Sequence, residues 1–98
     1  MASLEQLYEV GERLSSANGD PAKLQNLTSD YKMVLTGVKS PNSLAKRLSS
    51  QFIARFFADF PDEASSALEA MLDLCEDDDL NIRKQVCLNV LILIDIII

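Results

Sequence analysis

The chain has 98 residues, a length that suits one small domain with a core of limited size. Apolar residues make up 48% and charged residues 24%, a balance that favours a folded chain over a disordered one. The net charge of −6 argues against nucleic acid as the main partner, and the sequence has no histidine, the commonest general base and metal ligand.

The first two predicted helices begin at recognisable capping residues. Ser3 and Gln6 have the spacing of a capping box, and Asp20 is an N-cap followed by proline at the first helical position. We expect the second helix to extend from about residue 21 to residue 36, unless the polar triplet at 28–30 interrupts it by competing for backbone hydrogen bonds. The predicted inner faces are Leu4, Leu7, Tyr8 and Leu14, then Leu24, Leu27, Tyr31, Val34 and Val38.

Three further helices are predicted from similar start signals. Residues 40–43 repeat the combination of proline and a capping residue, Pro61 opens the fourth helix, and Asp78 or Asp79 caps the fifth. The predicted inner faces are Leu44, Leu48, Phe52, Ile53, Phe56 and Phe57 in the third helix, with Phe60 at its end, then Ala64, Ala67, Leu68, Met71, Leu72 and Cys75 in the fourth, and Ile82, Val86 and Val90 in the fifth.

About five helices joined by short connections predict an all-α fold of antiparallel helical hairpins. A shift of 38 residues places Leu44 on Ile82 and Leu48 on Val86, so apolar positions recur at that period. The period is close to that of HEAT and armadillo repeats, in which pairs of helices stack into a solenoid. The expected architecture is therefore a HEAT/armadillo-like fragment of an α-solenoid.

The cysteines and the N-terminus indicate an intracellular protein. Cys75 and Cys87 are twelve residues apart, which matches neither a zinc site nor a thioredoxin-type motif, and we interpret them as buried, reduced thiols. The N-terminal segment contains Glu5, Glu9 and Glu12 and no continuous apolar run, so it is not a signal peptide.

Charge is segregated along the chain. Residues 31–58 contain five bases and no acid, whereas residues 59–79 contain nine acids and no base. Two interpretations stay open: neighbouring antiparallel helices carry complementary solvated faces, or the acids form a docking surface for a basic partner segment. The residues predicted for a partner-binding surface are Lys46, Arg47, Arg55, Asp62, Glu63, Glu69, Asp73, Asp77 and Asp78.

A calcium site in the acidic stretch is not expected. Asp77, Asp79 and Asn81 match the start of an EF-hand loop. However, Ile82 occupies the position of the turn glycine, and Leu88 occupies the position of the bidentate glutamate.

The sequence also lacks the motifs of an enzyme. It contains no phosphate-binding glycine loop, nucleophile elbow or H-E-x-x-H motif, and consecutive solvated acids at a turn do not form a catalytic pair. We therefore predict a non-enzyme with no catalytic, cofactor-binding or metal-binding residues. Instead, the stretch resembles the aspartate and arginine signature of HEAT-type repeats, in which Asp79 would cap the fifth helix and pair with Arg83 to set the turn between hairpins.

Four segments carry a more specific resemblance. They are LEQLYEVGERL from residue 4, DYKMVLTGVKS at 30–40, AKRLSSQFIARFFADFPDEASSAL at 45–68 and LDLCEDDDLNIRKQ at 72–85. These segments resemble the N-terminal part of the apoptosis inhibitor 5 family, also called anti-apoptotic clone 11 protein. The resemblance covers residues 4 to about 86.

The resemblance implies a non-enzymatic scaffold, HEAT-like at its N-terminal side and armadillo-like further on, that takes part in negative regulation of programmed cell death. It implies protein partners, such as the apoptosis regulator Acinus, and no small-molecule substrate. It implies the nucleus, with the cytoplasm as the alternative because the family's localisation segment lies in later portions. Nucleic acid and membrane are not expected partners of this segment.

The end of the chain departs from the resemblance. We divide the chain into a HEAT-like region at 1–86 and a divergent apolar tail at 87–98, a run too short to cross a bilayer. The tail is open to three interpretations: a membrane-associating segment at 86–98, a cover for the last hairpin, or the end of a truncated product without independent function. Truncation is the favoured one. A fifth helix without a following partner also predicts self-association through its exposed face.

Overall fold

The computed structural model describes residues 3–17 and 19–97, with side chains described as far as residue 91. These residues form six α-helices and no strand. The helices are α1 (Leu4–Ser16), α2 (Pro21–Gln25), α3 (Thr28–Thr36), α4 (Ser43–Phe56), α5 (Ala64–Cys75) and α6 (Leu80–Ile97). Short 3-10 turns lie at Gly37–Lys39, Phe57–Asp59 and Pro61–Glu63.

Four of the five predicted helix starts are confirmed by capping hydrogen bonds, whereas Pro61, predicted to open the fourth helix, lies in a 3-10 turn, and α5 begins at Ala64 without a side-chain cap. The Ser3 hydroxyl accepts from the N–H of Gln6 at 3.2 Å, and the Gln6 side chain accepts from the N–H of Ser3 at 2.9 Å. The side chains of Asp20, Asn42 and Asp79 each accept a backbone N–H from the first turn of the following helix, at 3.3, 2.8 and 2.8 Å. Each cap satisfies a donor that the helix itself leaves without a partner.

The single helix predicted from residue 21 to residue 36 is wrong, because the chain forms α2 and α3 with a break between them. The N–H of Leu27 bonds to the carbonyl of Leu24 at 2.9 Å, which tightens the chain into a turn. The Thr28 hydroxyl donates to the Gln25 carbonyl at 2.9 Å. Competition of this kind between a short polar side chain and the backbone is the interruption anticipated at 28–30.

The helices pack in two layers. α4 packs against both α1 and α6 in one layer, while α3 packs against α5 in the other. α1 also packs against α3, and α5 against α6, so each hairpin spans both layers. The molecule measures 17 Å along its shortest axis and 38 and 33 Å along the others, as expected for two layers of helices. The predicted all-α fold class is confirmed, and the arrangement fits a fragment of a helical solenoid.

The core lies between the two layers. Tyr31, Phe56, Ile53 and Met71 are almost completely buried. Phe52, at the edge of the core, is partly buried and lies directly over Gly11 of α1, where a Cβ atom would collide with its ring. The absence of a side chain at Gly11 therefore lets α1 and α4 approach closely.

Three residues predicted on inner faces are exposed, namely Tyr8 (54%), Leu44 (56%) and Leu72 (59%). In α4 the core position next to Leu44 is occupied by Ala45, which is completely buried. Periodicity locates the apolar side of a helix to within about one position, and a small alanine can face the core where the pattern favours a neighbouring leucine.

The predicted repeat register is also off by one residue. Leu44 is exposed, whereas Ile82, its predicted equivalent, is 1% exposed. The capping residues Asn42 and Asp79 stand 37 positions apart in the sequence, one fewer than the predicted 38. At that offset the equivalent buried pairs are Ala45 with Ile82 and Ser49 with Val86.

The predicted boundary between residues 86 and 87 falls inside α6, which continues to Ile97. The division into a HEAT-like region and a tail stays a prediction. Among the residues that the structure describes, no helix combines the length and the apolar character needed to cross a membrane.

Candidate protein-interaction surfaces

Lys46 and Asp77, both predicted for the partner surface, bind each other. The Lys46 ammonium lies 2.5 Å from the Asp77 carboxylate, which also accepts the backbone N–H of Asp79 at 2.9 Å. Both side chains are largely shielded from solvent, with 22% and 12% exposed. The Lys46 ammonium and the Asp79 N–H together lower the pKa of Asp77 below its ordinary value. This pair fastens α4 to the turn between α5 and α6.

The two predicted arginines also have intramolecular contacts. The Arg47 side chain donates to the Gln85 side chain at 3.0 Å, and one turn further along α4 the Ser50 hydroxyl accepts from Asn89 at 3.2 Å. These hydrogen bonds join α4 to α6. The Arg55 guanidinium lies 5.2 Å from the centre of the Phe56 ring, a distance typical of a cation–π contact.

The predicted acids are divided between paired and outward-facing ones. Glu63 pairs with Lys32 of α3 at 3.6 Å. Four others are exposed, and none of the four has a side-chain hydrogen bond or an ion pair within the described part of the chain. They line α5 and the turns at its two ends, and we refer to them as the acidic row: Asp62, Glu69, Asp73 and Asp78.

The predicted turn residues have different roles from each other. Asp79 caps α6, and the N–H of Arg83 bonds to the Asp79 carbonyl at 3.1 Å. Their side chains form no ion pair within the described residues, and the charge of Arg83 instead acts on Asp77, whose pKa it helps to lower. The turn is thus held mainly by Asp77 and Lys46. Over the same residues, no three acidic or cysteine side chains converge as metal ligands would.

The sequence analysis predicted an exposed face on the fifth helix but did not identify the leucines that line it. On α6, three leucines at intervals of eight and three residues share one side of the helix, and Leu72 projects from the neighbouring α5. We call this surface the leucine face; it consists of Leu72 (59% exposed), Leu80 (53%), Leu88 (65%) and Leu91 (60%). The opposite side of α6 packs into the core, so both sides of this helix are apolar.

The two cysteines lie beside the leucine face. Cys87 is exposed, so the prediction that both thiols are buried is wrong for this residue, while Cys75 is partly buried. Neither forms a disulfide. Burial raises the pKa of the Cys75 thiol, and the neighbouring Cys87 thiol raises it further.

Comparison with known protein families identifies the family of this chain. The sequence model of the family described as apoptosis inhibitory protein 5 (API5) matches residues 4–93 of this chain. The chain belongs to the API5 family. The API5 match includes α1 to α5 and most of α6, and therefore both the acidic row and the leucine face.

Individual relatives agree with this assignment. The chain is 49% identical over 85 residues to the apoptosis inhibitor 5 homolog of Drosophila melanogaster, covering 87% of this chain and 15% of that protein. It is 45% identical over 85 residues to apoptosis inhibitor 5-A of Xenopus laevis, covering 87% and 16%. It is 45% identical over 84 residues to the apoptosis inhibitor 5-like protein API5 of Oryza sativa subsp. japonica, covering 86% and 15%. The chain therefore spans about one sixth of the length of these API5 relatives.

Proposed function

We propose that this chain is a non-enzymatic protein-interaction scaffold that takes part in negative regulation of programmed cell death. Membership of the API5 family supports this role, as do the names of the relatives, which refer to inhibition of apoptosis. The observation that carries the proposal is the outward-facing acidic row. The nearby bases Lys46, Arg47 and Arg55 already have intramolecular contacts, whereas the acids of the row face solvent.

The acidic row is suited to a basic partner segment. Its exposed carboxylates attract basic side chains through solvent. This attraction raises the association rate and favours positively charged partners more than it increases the affinity. α5, which carries Glu69 and Asp73, packs against α3, α4 and α6, so these side chains project from a fixed helix. A surface that is already ordered loses little entropy when a partner binds.

The partners that we propose are apoptosis regulators such as Acinus, and the proposed location is the nucleus. Both proposals rest on family membership. Purified Acinus segments can be titrated against the chain directly, and fluorescence microscopy of a tagged chain tests the location. Exclusion of the tagged chain from the nucleus would contradict the proposed location and leave the binding proposal standing.

Binding to the acidic row can be measured by fluorescence anisotropy with a labelled peptide rich in lysine and arginine. We expect the double variant Glu69→Lys/Asp73→Lys to weaken binding by roughly tenfold, with a weaker effect at high salt. Glu5→Lys/Glu9→Lys is the matched control, because these α1 residues are also exposed, also acidic and also four positions apart. Equal losses in both double variants would show that net charge, and not this row, controls binding.

The cellular role needs a separate test. In cells given an apoptotic stimulus, expression of the chain should lower the fraction of dying cells, and the Glu69→Lys/Asp73→Lys variant at equal abundance should protect less. An absence of protection by the folded, abundant wild-type chain would contradict the regulatory role. Equal protection by the wild type and the variant would contradict the part assigned to the acidic row.

A further inference from the structure

We infer that two copies of this chain associate through the leucine face, with each α6 lying on α5 of the other copy. The inference does not depend on the proposed function, because it rests on the exposed leucines and on a second copy of the same chain. Glu69 belongs both to the acidic row and to this interface, so Leu88→Glu and Lys84→Glu are the variants that test the interface alone. Four exposed leucines on two adjacent helices form an apolar area of the kind that marks an interaction surface more often than scattered single residues do.

The charges around the leucines make this face complementary to itself. On α6, Lys84 lies between Leu80 and Leu88 at helical spacing, and it is exposed. On α5, Glu69 lies three positions before Leu72, and Glu76, the residue that follows the helix, lies four positions after Leu72; both glutamates are exposed. The same face therefore carries a base on one helix and acids on the other.

Such a face favours a two-fold arrangement. A rotation of 180° about an axis parallel to the last hairpin places α6 of one copy on α5 of the second copy, and the reverse contact forms at the same time. The leucines of both copies then meet. Lys84 of each copy lies beside Glu69 and Glu76 of the other copy. An interface in which one patch binds its own copy is the common form of a closed dimer.

The alternative of stacking one end of the molecule on the other is less well matched. Head-to-tail packing would place the leucine face on the α1 end of the next copy, where Glu5, Glu9 and Glu12 are exposed. Of the charges that border the leucine face, Lys84 would meet these acids with opposite sign, but Glu69 and Glu76 would both oppose them. Head-to-tail contacts also leave a free face at each end and generate open polymers, whereas the two-fold pairing stops at two copies.

Sedimentation over a range of protein concentrations tests the interface. We expect the wild-type chain to be a reversible dimer, and Leu88→Glu to raise the dissociation constant by roughly tenfold or more because it places a charge in the apolar centre. Leu44→Glu is the matched control, since Leu44 is 56% exposed but lies on α4, outside the leucine face. Circular dichroism checks that all three chains are folded. Wild-type chain that stays monomeric at high micromolar concentration, or a dimer indifferent to Leu88→Glu, would overturn the inference.

Charge exchange distinguishes the two-fold dimer from other associations. Lys84→Glu and the double variant Glu69→Lys/Glu76→Lys should each dimerise more weakly than wild type. A mixture of the two variants should form a heterodimer more tightly than either variant pairs with itself, because the opposite charges then face each other again. Failure of the mixture to recover association, or growth of the wild type into open-ended polymers, would contradict the arrangement.

Discussion

Tyr31 links the two layers through a single hydrogen bond. Its hydroxyl donates to the carbonyl of Ile53 at 3.0 Å, and its ring stacks on Phe60 with 4.5 Å between the ring centres. Ile53 lies in the last turn of α4, where carbonyl groups lack partners within the helix. The Tyr31 hydroxyl therefore supplies a donor at a buried helix end.

Tyr31→Phe should lower the free energy of unfolding by about 1–3 kcal/mol, because it leaves the buried Ile53 carbonyl without its donor while keeping the ring. Urea denaturation measures the change. Tyr8→Phe is the control, since Tyr8 is 54% exposed and its substitution should stay within about 0.5 kcal/mol of wild type. A Tyr31→Phe chain as stable as wild type would show that the hydrogen bond contributes nothing net.

The same residue predicts a response to alkaline pH. Burial, together with the nearby carboxylates of Glu63 and Asp59, raises the pKa of Tyr31 above its ordinary value. The stability contributed by the neutral hydroxyl is therefore complete below about pH 10, the pKa in the unfolded chain, and is lost as the pH rises above that value. Above pH 10 we expect the unfolding free energy of wild type to fall more steeply than that of Tyr31→Phe. Parallel curves would contradict the assignment.

Some residues could not have been placed from the sequence. Ser49 is completely buried, and its hydroxyl has no hydrogen-bond partner among the described residues, although serine in a helix is usually read as a surface residue. It packs against Gly37, where an added Cβ atom would collide with the Ser49 hydroxyl. This close approach of two segments depends on tertiary packing, which the local pattern of apolar residues does not encode.

At the scale of helices, starts are more predictable than ends or breaks. The caps at Ser3, Asp20 and Asn42 involve residues only two or three positions apart, so their spacing can be read directly. The break between α2 and α3 depends on which of two competing hydrogen-bond patterns prevails near Thr28, and apolar spacing continues through it. The sequence therefore indicated that the helix could be interrupted at 28–30, but it did not show which of the two patterns forms.

Asp77 illustrates how one side chain connects helices that are distant in sequence. Because Lys46 lowers the pKa of Asp77, the stability from this pair is present above the unfolded-state pKa and is lost as the pH falls through the folded-state value. Asp77→Asn should therefore reduce stability at pH 7, and the difference from wild type should shrink as the pH approaches about 3. Denaturant midpoints at several pH values measure the difference.

Asp78→Asn is the adjacent control for this prediction. Asp78 is exposed and forms no side-chain hydrogen bond or ion pair within the described residues. Its substitution should therefore leave the denaturant midpoint nearly unchanged at every pH measured. Equal effects of the two substitutions would show that general acidity of the turn, rather than the pair with Lys46, accounts for the stability.

For the whole molecule, the segregation of charge proves to have a structural component. Lys32 with Glu63 and Lys46 with Asp77 join elements that the sequence separates into a basic part and an acidic part. These pairs join bases of α3 and α4 to acids in the turns at the two ends of α5, while Glu69 and Asp73 of α5 itself stay in the acidic row. Sequence alone left these alternatives open because it does not show which charges come within reach of each other.

The overall architecture and the inner side of the last helix were predictable from helix spacing, but the leucines on its exposed side were not identified. Periodicity favoured Ile82, Val86 and Val90 as the inner side of α6, and Ile82 and Val86 are indeed buried. Leu80, Leu88 and Leu91 follow an equally regular spacing on the other side. Apolar residues on both sides of a helix weaken the contrast between its faces, so the exposed leucines were not recognised as a surface.

This orientation leads to a direct comparison of two residues on α6. Ile82 is 1% exposed and Leu80 is 53% exposed, so the two side chains lie on opposite sides of the same helix. Ile82→Ala should cost about 2–5 kcal/mol through lost burial and a cavity, whereas Leu80→Ala should change stability by less than about 0.5 kcal/mol. Denaturation is measured at low protein concentration, where association does not contribute.

A loss of this size at Ile82 is a large part of the roughly 5–15 kcal/mol that stabilises a small domain. If Ile82→Ala does not fold, Ile82→Val keeps the test open, with an expected cost of about 0.5–1.5 kcal/mol because only one methyl group is removed. Greater sensitivity at Leu80 than at Ile82 would mean that α6 is turned about its axis, with the leucines against α4 and α5. In that case the exposed leucine face, and the dimer inferred from it, could not exist.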